Sequence, residues 1–227
     1  MTDNESVANN VEKPKAETNE NGTGLPSDIP SDSKLNITFP MKQKWSLWFL
    51  NNKKDADWTD RLSEVHKFSK IEEFIALYDN IRPPSTCIGC DYNLFKEGIQ
   101  PMWEVKENKE GGRLLVFIER NRSDVLDILW SELLFALVGN QFGDDTPSIC
   151  GAVCNIRSKG FKISLWTTNC NDDEANKRIG LVMKKIFNDA HYDNFKPQNL
   201  NGIRYEEHEN VKVKSGSKVQ ERFVIEM

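Results

Sequence analysis

Bulky and small polar residues alternate through Trp45-Ser46-Leu47-Trp48-Phe49-Leu50, the period of a strand, and structure is expected to begin near Ile37. The period changes over Lys70 to Asn80. Ile71, Phe74, Ile75 and Tyr78 there fall at helical spacing, and Arg82-Pro83-Pro84 stops the run. Leu114 to Glu119 predicts a strand after the Gly111-Gly112 turn. Ser123 is the expected N-cap of a long apolar helix reaching Val138, ended by Gly139 and Asn140. Ile149 to Arg157 and Phe161 to Thr167 predict a hairpin about Ser158-Lys159-Gly160. Asn171 with Glu174 resembles a capping box and opens a third helix to about Asn188. The polar C-terminal stretch predicts loop and short strand. Irregular alternation with hairpin links fits an α+β fold on an antiparallel sheet better than a doubly wound one.

Composition changes this picture at one end. Residues 1–36 hold no aromatic residue and carry seven acids against three bases, so they cannot bury enough apolar surface to offset their ordering entropy. They are expected to be a disordered acidic tail before one folded domain at 37–227. The tail's −4 accounts for most of the chain's −5, which argues against a protein gripping duplex DNA through its phosphates. No apolar run reaches membrane-span length and no signal-peptide core opens the chain, so neither membrane nor secretion is expected.

Familiar catalytic signatures are absent: no G-x-S-x-G, no G-x-x-x-x-G-K-[ST], no H-E-x-x-H. His66, His191 and His208 are scattered, and no chemical role is expected of them. Five cysteines is an odd count for a disulfide framework. Cys87-Ile88-Gly89-Cys90 has a zinc-knuckle spacing, but Cys150 and Cys154 lie in an apolar strand. At i and i+4 they would share a face about 13 Å apart, too far for one tetrahedral ion. Core packing is expected for that pair, and neither metal nor cofactor.

Six tryptophans need an explanation. Trp45, Trp48 and Trp130 lie on apolar periodic runs and are expected in the core. Trp58, in Asp57-Trp58-Thr59-Asp60, and Trp103, in Pro101-Met102-Trp103-Glu104, keep polar company. The two indoles either cap the core edge or face each other as a slot for a flat, preferably cationic ring. Glu104 beside Trp103 is the acceptor that would read a guanine edge, which offers N1–H and N2–H. Arg157, Lys159 and Lys162 cluster at the hairpin turn, where phosphates would be held. Alternation sends Phe161, Ile163 and Leu165 to one face and Lys162, Ser164 and Trp166 to the other.

Beyond these residues the sequence resembles a known family, eukaryotic translation initiation factor 4E, the mRNA 5′-cap-binding protein. The resemblance covers about residues 38 to 227. It rests on Trp45-Ser46-Leu47-Trp48-Phe49, Cys90-Asp91-Tyr92-Asn93-Leu94-Phe95-Lys96, Gly98-Ile99-Gln100-Pro101-Met102-Trp103-Glu104, Asn108-Lys109-Glu110-Gly111-Gly112-Arg113, Ile149-Cys150-Gly151-Ala152-Val153 and Ile163-Ser164-Leu165-Trp166-Thr167. It implies a curved antiparallel sheet of about eight strands with three long helices on its convex face, and a cap-binding, non-enzymatic role in translation initiation. By position, Trp58 and Trp103 would sandwich 7-methylguanine and Glu104 would accept its N1 and N2 hydrogens. Arg157 and Lys162 would hold the triphosphate with Arg113 assisting. Trp166 would lie at the N7-methyl side, and the loop around Lys214 would close over the phosphates. Ser217 matches the family's phosphorylation site.

On the helical face the resemblance implies docking of Tyr-x-x-x-x-Leu-apolar peptides from the scaffold factor 4G and from binding-protein repressors. Pro40, Ile71, Glu132 and Gly139 match that surface. Ile75 replaces a family indole, and Ser131 and Phe135 replace leucines; Leu114 replaces a core tryptophan. Capped mRNA is thus the expected ligand, scaffold and repressors the expected partners, and the cytoplasm the expected location, with nucleus and RNA granules beside it. The alternative function is a cap-binding repressor or specialised isoform with weakened scaffold binding. A general single-stranded RNA module is a further rival.

Overall fold

The computed structural model describes residues 38–227 apart from 54, 56, 191–199 and 213–218. Its elements, in chain order, are β1 (Pro40–Leu50), α1 (Trp58–Arg61), β2 (Leu62–Lys70), α2 (Ile71–Tyr78), β3 (Asp91–Lys96), α3 (Lys106–Lys109), β4 (Gly112–Ile118), α4 (Ser123–Val138), β5 (Ile149–Arg157), β6 (Gly160–Thr167), α5 (Asp173–Asp189), β7 (Ile203–Glu207), α6 (His208–Lys212) and β8 (Glu221–Ile225). The strands make one sheet in the order β2-β1-β3-β5-β6-β4-β7-β8, antiparallel at every join. This is the α+β architecture expected, with α2, α4 and α5 as the three principal helices. The tail expected at 1–36, His191, Lys214 and Ser217 lie outside the described residues.

Strand alternation divides the sheet into two faces with different fillings. Trp45 and Leu47 of β1, Tyr92 and Leu94 of β3, Leu114, Val116 and Ile118 of β4, and Phe161, Ile163 and Leu165 of β6 face the helices. They pack in one core with Phe74 of α2, Leu129, Trp130 and Leu133 of α4 and Ile179 and Met183 of α5. Leu114 is fully buried there, so the position where the family carries an indole is filled by a core side chain. Trp45 and Trp130 are core as expected, whereas Trp48 has the other parity. It packs with Phe95, Val153, Trp166 and Trp103 on the opposite face.

Two start signals differ from expectation. Ser123 is the first residue of α4 and no side chain caps that helix. At α5 the cap is Asp172, whose carboxylate accepts the Ala175 N–H at 3.1 Å. With several Asn and Asp residues in succession, any of them could supply the oxygen.

The cysteine pair in β5 also departs from simple alternation. The register of β5 against β6 slips between Ile149 and Gly151, a bulge with Cys150 as the extra residue. Cys150 therefore packs on the Trp166 side of the sheet and Cys154 on the helix side. The expectation of a shared face is overturned, and the two thiols are still less able to share an ion. Gly151 is required at the bulge, because a Cβ there would lie 2.4 Å from the Leu94 carbonyl oxygen.

Candidate functional site

The face away from α2, α4 and α5 carries a cleft of about 570 Å³, lined by residues of five strands, β1, β3, β5, β6 and β4. Its aromatic end is built by Trp166 of β6 and Trp103 in the loop after β3, whose rings meet nearly edge-on at 6.4 Å. Trp166 packs against Phe95, at 5.4 Å, and the His208 ring, at 4.3 Å. An indole held by two ring contacts and 5% exposed gives this end a firm floor.

The basic end is set by the β5–β6 hairpin. Arg157, Lys159 and Lys162 line the cleft together with Asn93 and Asn155. Arg157 is pinned by Asp91 at the start of β3: Nη1 bonds Oδ1, Nη2 donates to Oδ2 at 2.9 Å, and Nη1 also donates to the Cys90 carbonyl at 3.0 Å. The hydrogen bonds it donates to the Asp91 carboxylate hold the Arg157 pKa above its already high ordinary value. Arg113 of β4 lines the cleft too, and donates from Nε and Nη2 to the Glu206 carboxylate at 3.0 and 2.8 Å.

Of the residues expected at the site, Trp103, Arg113, Arg157, Lys162 and Trp166 thus converge on one cleft. Glu104 follows Trp103 in the same turn and is exposed; it is not among the cleft-lining residues. The Trp58 side chain lies outside the described residues, but its backbone opens α1, which Arg61 ties to the residue just after β1 by donating to the Asn51 carbonyl at 2.9 and 2.7 Å. Sequence reasoning assigned no role to Asp91, Asn93, Asn155 or Glu206. Asn155 was within reach, being two residues before Arg157 on one strand and so on the same face.

The expected docking residues lie across the sheet. The Ile71 N–H donates to the Phe39 carbonyl at 2.9 Å and the Phe39 N–H to Glu72 at 2.8 Å, so Phe39-Pro40 runs along the start of α2. Phe135 of α4 packs edge-on against Phe74 and Tyr78 of α2, each at 5.3 Å. Phe39, Ile75 and Phe135 are exposed to 59%, 37% and 39%. Glu132 and Gly139 are exposed on α4 and at its end, whereas Ser131 turns its hydroxyl back to the Ile128 carbonyl at 2.8 Å.

A groove lined by Trp103 and Trp166 and by Arg113, Arg157 and Lys162 has the make-up of a binding face for an anionic ligand that carries a flat group. The sequence model of eukaryotic initiation factor 4E matches residues 40–222. Translation initiation factor 4E-1 of Caenorhabditis elegans is 50% identical over 184 residues, spanning 80% of this chain and 86% of its own. The human factor 4E is 42% identical over 192 residues, spanning 83% and 84%. Among solved structures, Ascaris suum eIF4E-3 with the m7G cap superposes with a TM-score of 0.74 at 42% identity, covering 83% of this chain and 98% of that one. C. elegans eIF4E-3 with the 4E-binding protein Mextli and a cap analogue gives 0.72 at 38%, covering 83% and 100%. The chain belongs to the eukaryotic initiation factor 4E family.

Proposed function

We propose that the protein binds the 7-methylguanosine triphosphate end of mRNA in this cleft, and links it to translation initiation and its regulation through partners docked on the helical face. Methylation at N7 puts a positive charge on the base. That strengthens stacking on indole faces and makes N1–H a better donor to a carboxylate at Glu104. Trp58 and Trp103 would form the sandwich and Trp166 the wall beside the methyl group. Arg157 and Lys162 would take the phosphates, with Arg113 oriented by Glu206 and the Lys214 loop closing over them. The reading needs no bond to be made or broken, hence no enzyme. It places the site of action in the cytoplasm, and no helix among the described residues is long and apolar enough to cross a membrane.

One observation supports the reading most: in a chain of this family, Trp103 and Trp166 line one cleft together with Arg113, Arg157 and Lys162. The test is retention on immobilised 7-methyl-GTP. Elution by 7-methyl-GTP but not by GTP is expected; equal elution by both would leave only a general single-stranded RNA module.

The partner face would take an amphipathic Tyr-x-x-x-x-Leu-apolar helix on Pro40, Ile71, Ile75, Ser131, Glu132, Phe135 and Gly139. Relatives have been solved in complex with binding proteins, C. elegans eIF4E-3 with the 4E-binding protein Mextli and the schistosome eIF4E with 4E-BP. A second reading, a repressor or specialised isoform with weakened scaffold binding, is favoured by Ile75, which offers neither indole area nor an indole N–H. A phosphate on Ser217 would modulate the mouth of the cleft.

A further inference from the structure

Asn108 is fully buried in α3, yet its side chain serves a loop eight residues upstream. Its Nδ2 donates to the Gln100 carbonyl at 2.9 Å and to the Met102 carbonyl at 2.7 Å. Both neighbours are acceptors, so the amide can be oriented only with its NH₂ towards them. The Met102 carbonyl is the last backbone acceptor before Trp103.

The backbone of Asn108 is engaged as well. Its N–H donates to Val105 at 3.0 Å, and its carbonyl accepts the Gly111 N–H at 2.9 Å. The same carbonyl lies 2.8 Å from His208 Nδ1, which must therefore carry the proton. The His208 ring in turn lies against Trp166. One residue thus ties the strand of loop entering Trp103, the chain leaving it, and the ring behind the cleft floor.

We propose that Asn108 is a positioning residue that holds the Trp103-Glu104 turn in its ligand-accepting shape before the ligand arrives. This rests on the cap-binding reading of the cleft for its consequence, but not for its geometry. An indole on a tethered loop needs little further ordering when a base stacks on it. Without the two amide bonds the loop loses that pre-organisation, and two carbonyls are left without their donor. The phosphate end, built on the β5–β6 hairpin, does not depend on this amide.

The test uses the full chain and two variants. Asn108→Asp keeps the shape but removes both donors, and Asn108→Ala removes the group without adding a buried charge. Calorimetry with 7-methyl-GTP and with inorganic triphosphate is combined with amide hydrogen exchange. Affinity for 7-methyl-GTP is expected to fall roughly tenfold, inorganic triphosphate to bind within about twofold of wild type, and amides of 102–105 to exchange faster while β3 and β5 stay protected. Unchanged 7-methyl-GTP affinity in a folded variant overturns the proposal. So does an equal loss for both ligands with faster exchange across the sheet, which marks a purely structural residue. If wild type ignores 7-methyl-GTP, the cap reading falls, and the exchange pattern still decides whether Asn108 holds the turn.

Discussion

Asp91 and Arg157 meet on the cleft face as a fork against a carboxylate, with Nη2 2.9 Å from Oδ2. The acid is nearly enclosed, at 9% side-chain exposure, whereas the base keeps 47% open to the cleft. The buried partner fixes the direction of the exposed one, so the cation is aimed before any phosphate arrives. Lysine at 157 would keep the charge and lose the aim.

Arg157→Lys is therefore expected to weaken 7-methyl-GTP binding by about 1–3 kcal/mol, close to the effect of Arg157→Ala. Lys162→Ala should fall in the same range. All three losses should be larger for the triphosphate than for 7-methyl-GMP and should shrink as salt rises. Titration at two salt concentrations checks this. Wild-type affinity in Arg157→Lys would mean that charge suffices and the fork is incidental.

At the aromatic end, Trp103→Ala and Trp58→Ala should each cost about 1–3 kcal/mol of 7-methyl-GTP affinity from lost stacking. Glu104→Gln should cost a similar amount through loss of a charge-assisted acceptor. Intrinsic fluorescence quenching on ligand addition measures all three. An unaltered Glu104→Gln variant would mean that the exposed carboxylate never turns to the base.

Much of this site could be read from the chain because its residues are periodic. Lys162 and Trp166 share a parity on β6, and the hairpin turn is announced by Ser158-Lys159-Gly160. Elements without a local signature were harder. β2 and β8 sit at the sheet edges and are mostly exposed, so they lack the apolar alternation that marks a strand. The Cys150 bulge depends on the partner strand, and no period within β5 predicts it. Asp91, Glu206 and Asn108 act through bonds to residues 66, 93 and up to eight positions away, and spacing along the chain carries no trace of such pairs.

The bulge has a consequence for thiol chemistry. Burial pushes the Cys150 thiol up to about 12 and Cys154 well above its ordinary value, so almost no thiolate is present at pH 8. Iodoacetamide should spare both in the native protein. Cys87, half-buried and bonded by the Tyr92 hydroxyl at 3.4 Å, should label before them. Peptide mass mapping after a timed reaction gives the order, and early labelling of Cys150 would contradict the packing.

Acid should loosen the start of α2. Glu73 accepts the Ser69 and Lys70 N–H groups at 2.8 and 3.2 Å, and the Ser69 bond is the main reason its pKa is lowered from the ordinary glutamate value. A carboxyl with a depressed folded pKa adds stability above its unfolded pKa of about 4.3, and that stability is lost as pH falls through the folded value. Urea unfolding of wild type and Glu73→Gln between pH 3 and 6 should show a gap that closes with acid. A constant gap would mean the carboxylate charge plays no part.

The helical face tests whether initiation or repression is the main role. Ile71 and Ile75 are i, i+4 neighbours on α2, and Ile75 and Phe135 are two of the exposed apolar side chains of this face. A docked peptide helix would find Phe135 already braced by Phe74 and Tyr78, a firm aromatic contact in place of a leucine. At Ile75 it would find less area than an indole offers and no N–H donor. Ser131, its hydroxyl tied to Ile128, adds little apolar contact. Large aromatic anchors often dominate such interfaces, so binding of a Tyr-x-x-x-x-Leu-apolar peptide should be weaker than to a family member with the indole, by roughly 1–3 kcal/mol. Ile75→Trp should recover most of that difference, and Ile75→Trp with Ser131→Leu more. Phe135→Ala should weaken binding further, because it removes the braced ring. Calorimetry of wild type and the three variants against one scaffold peptide decides the matter. If wild type already binds as tightly as Ile75→Trp, the face is not weakened and ordinary initiation is the function.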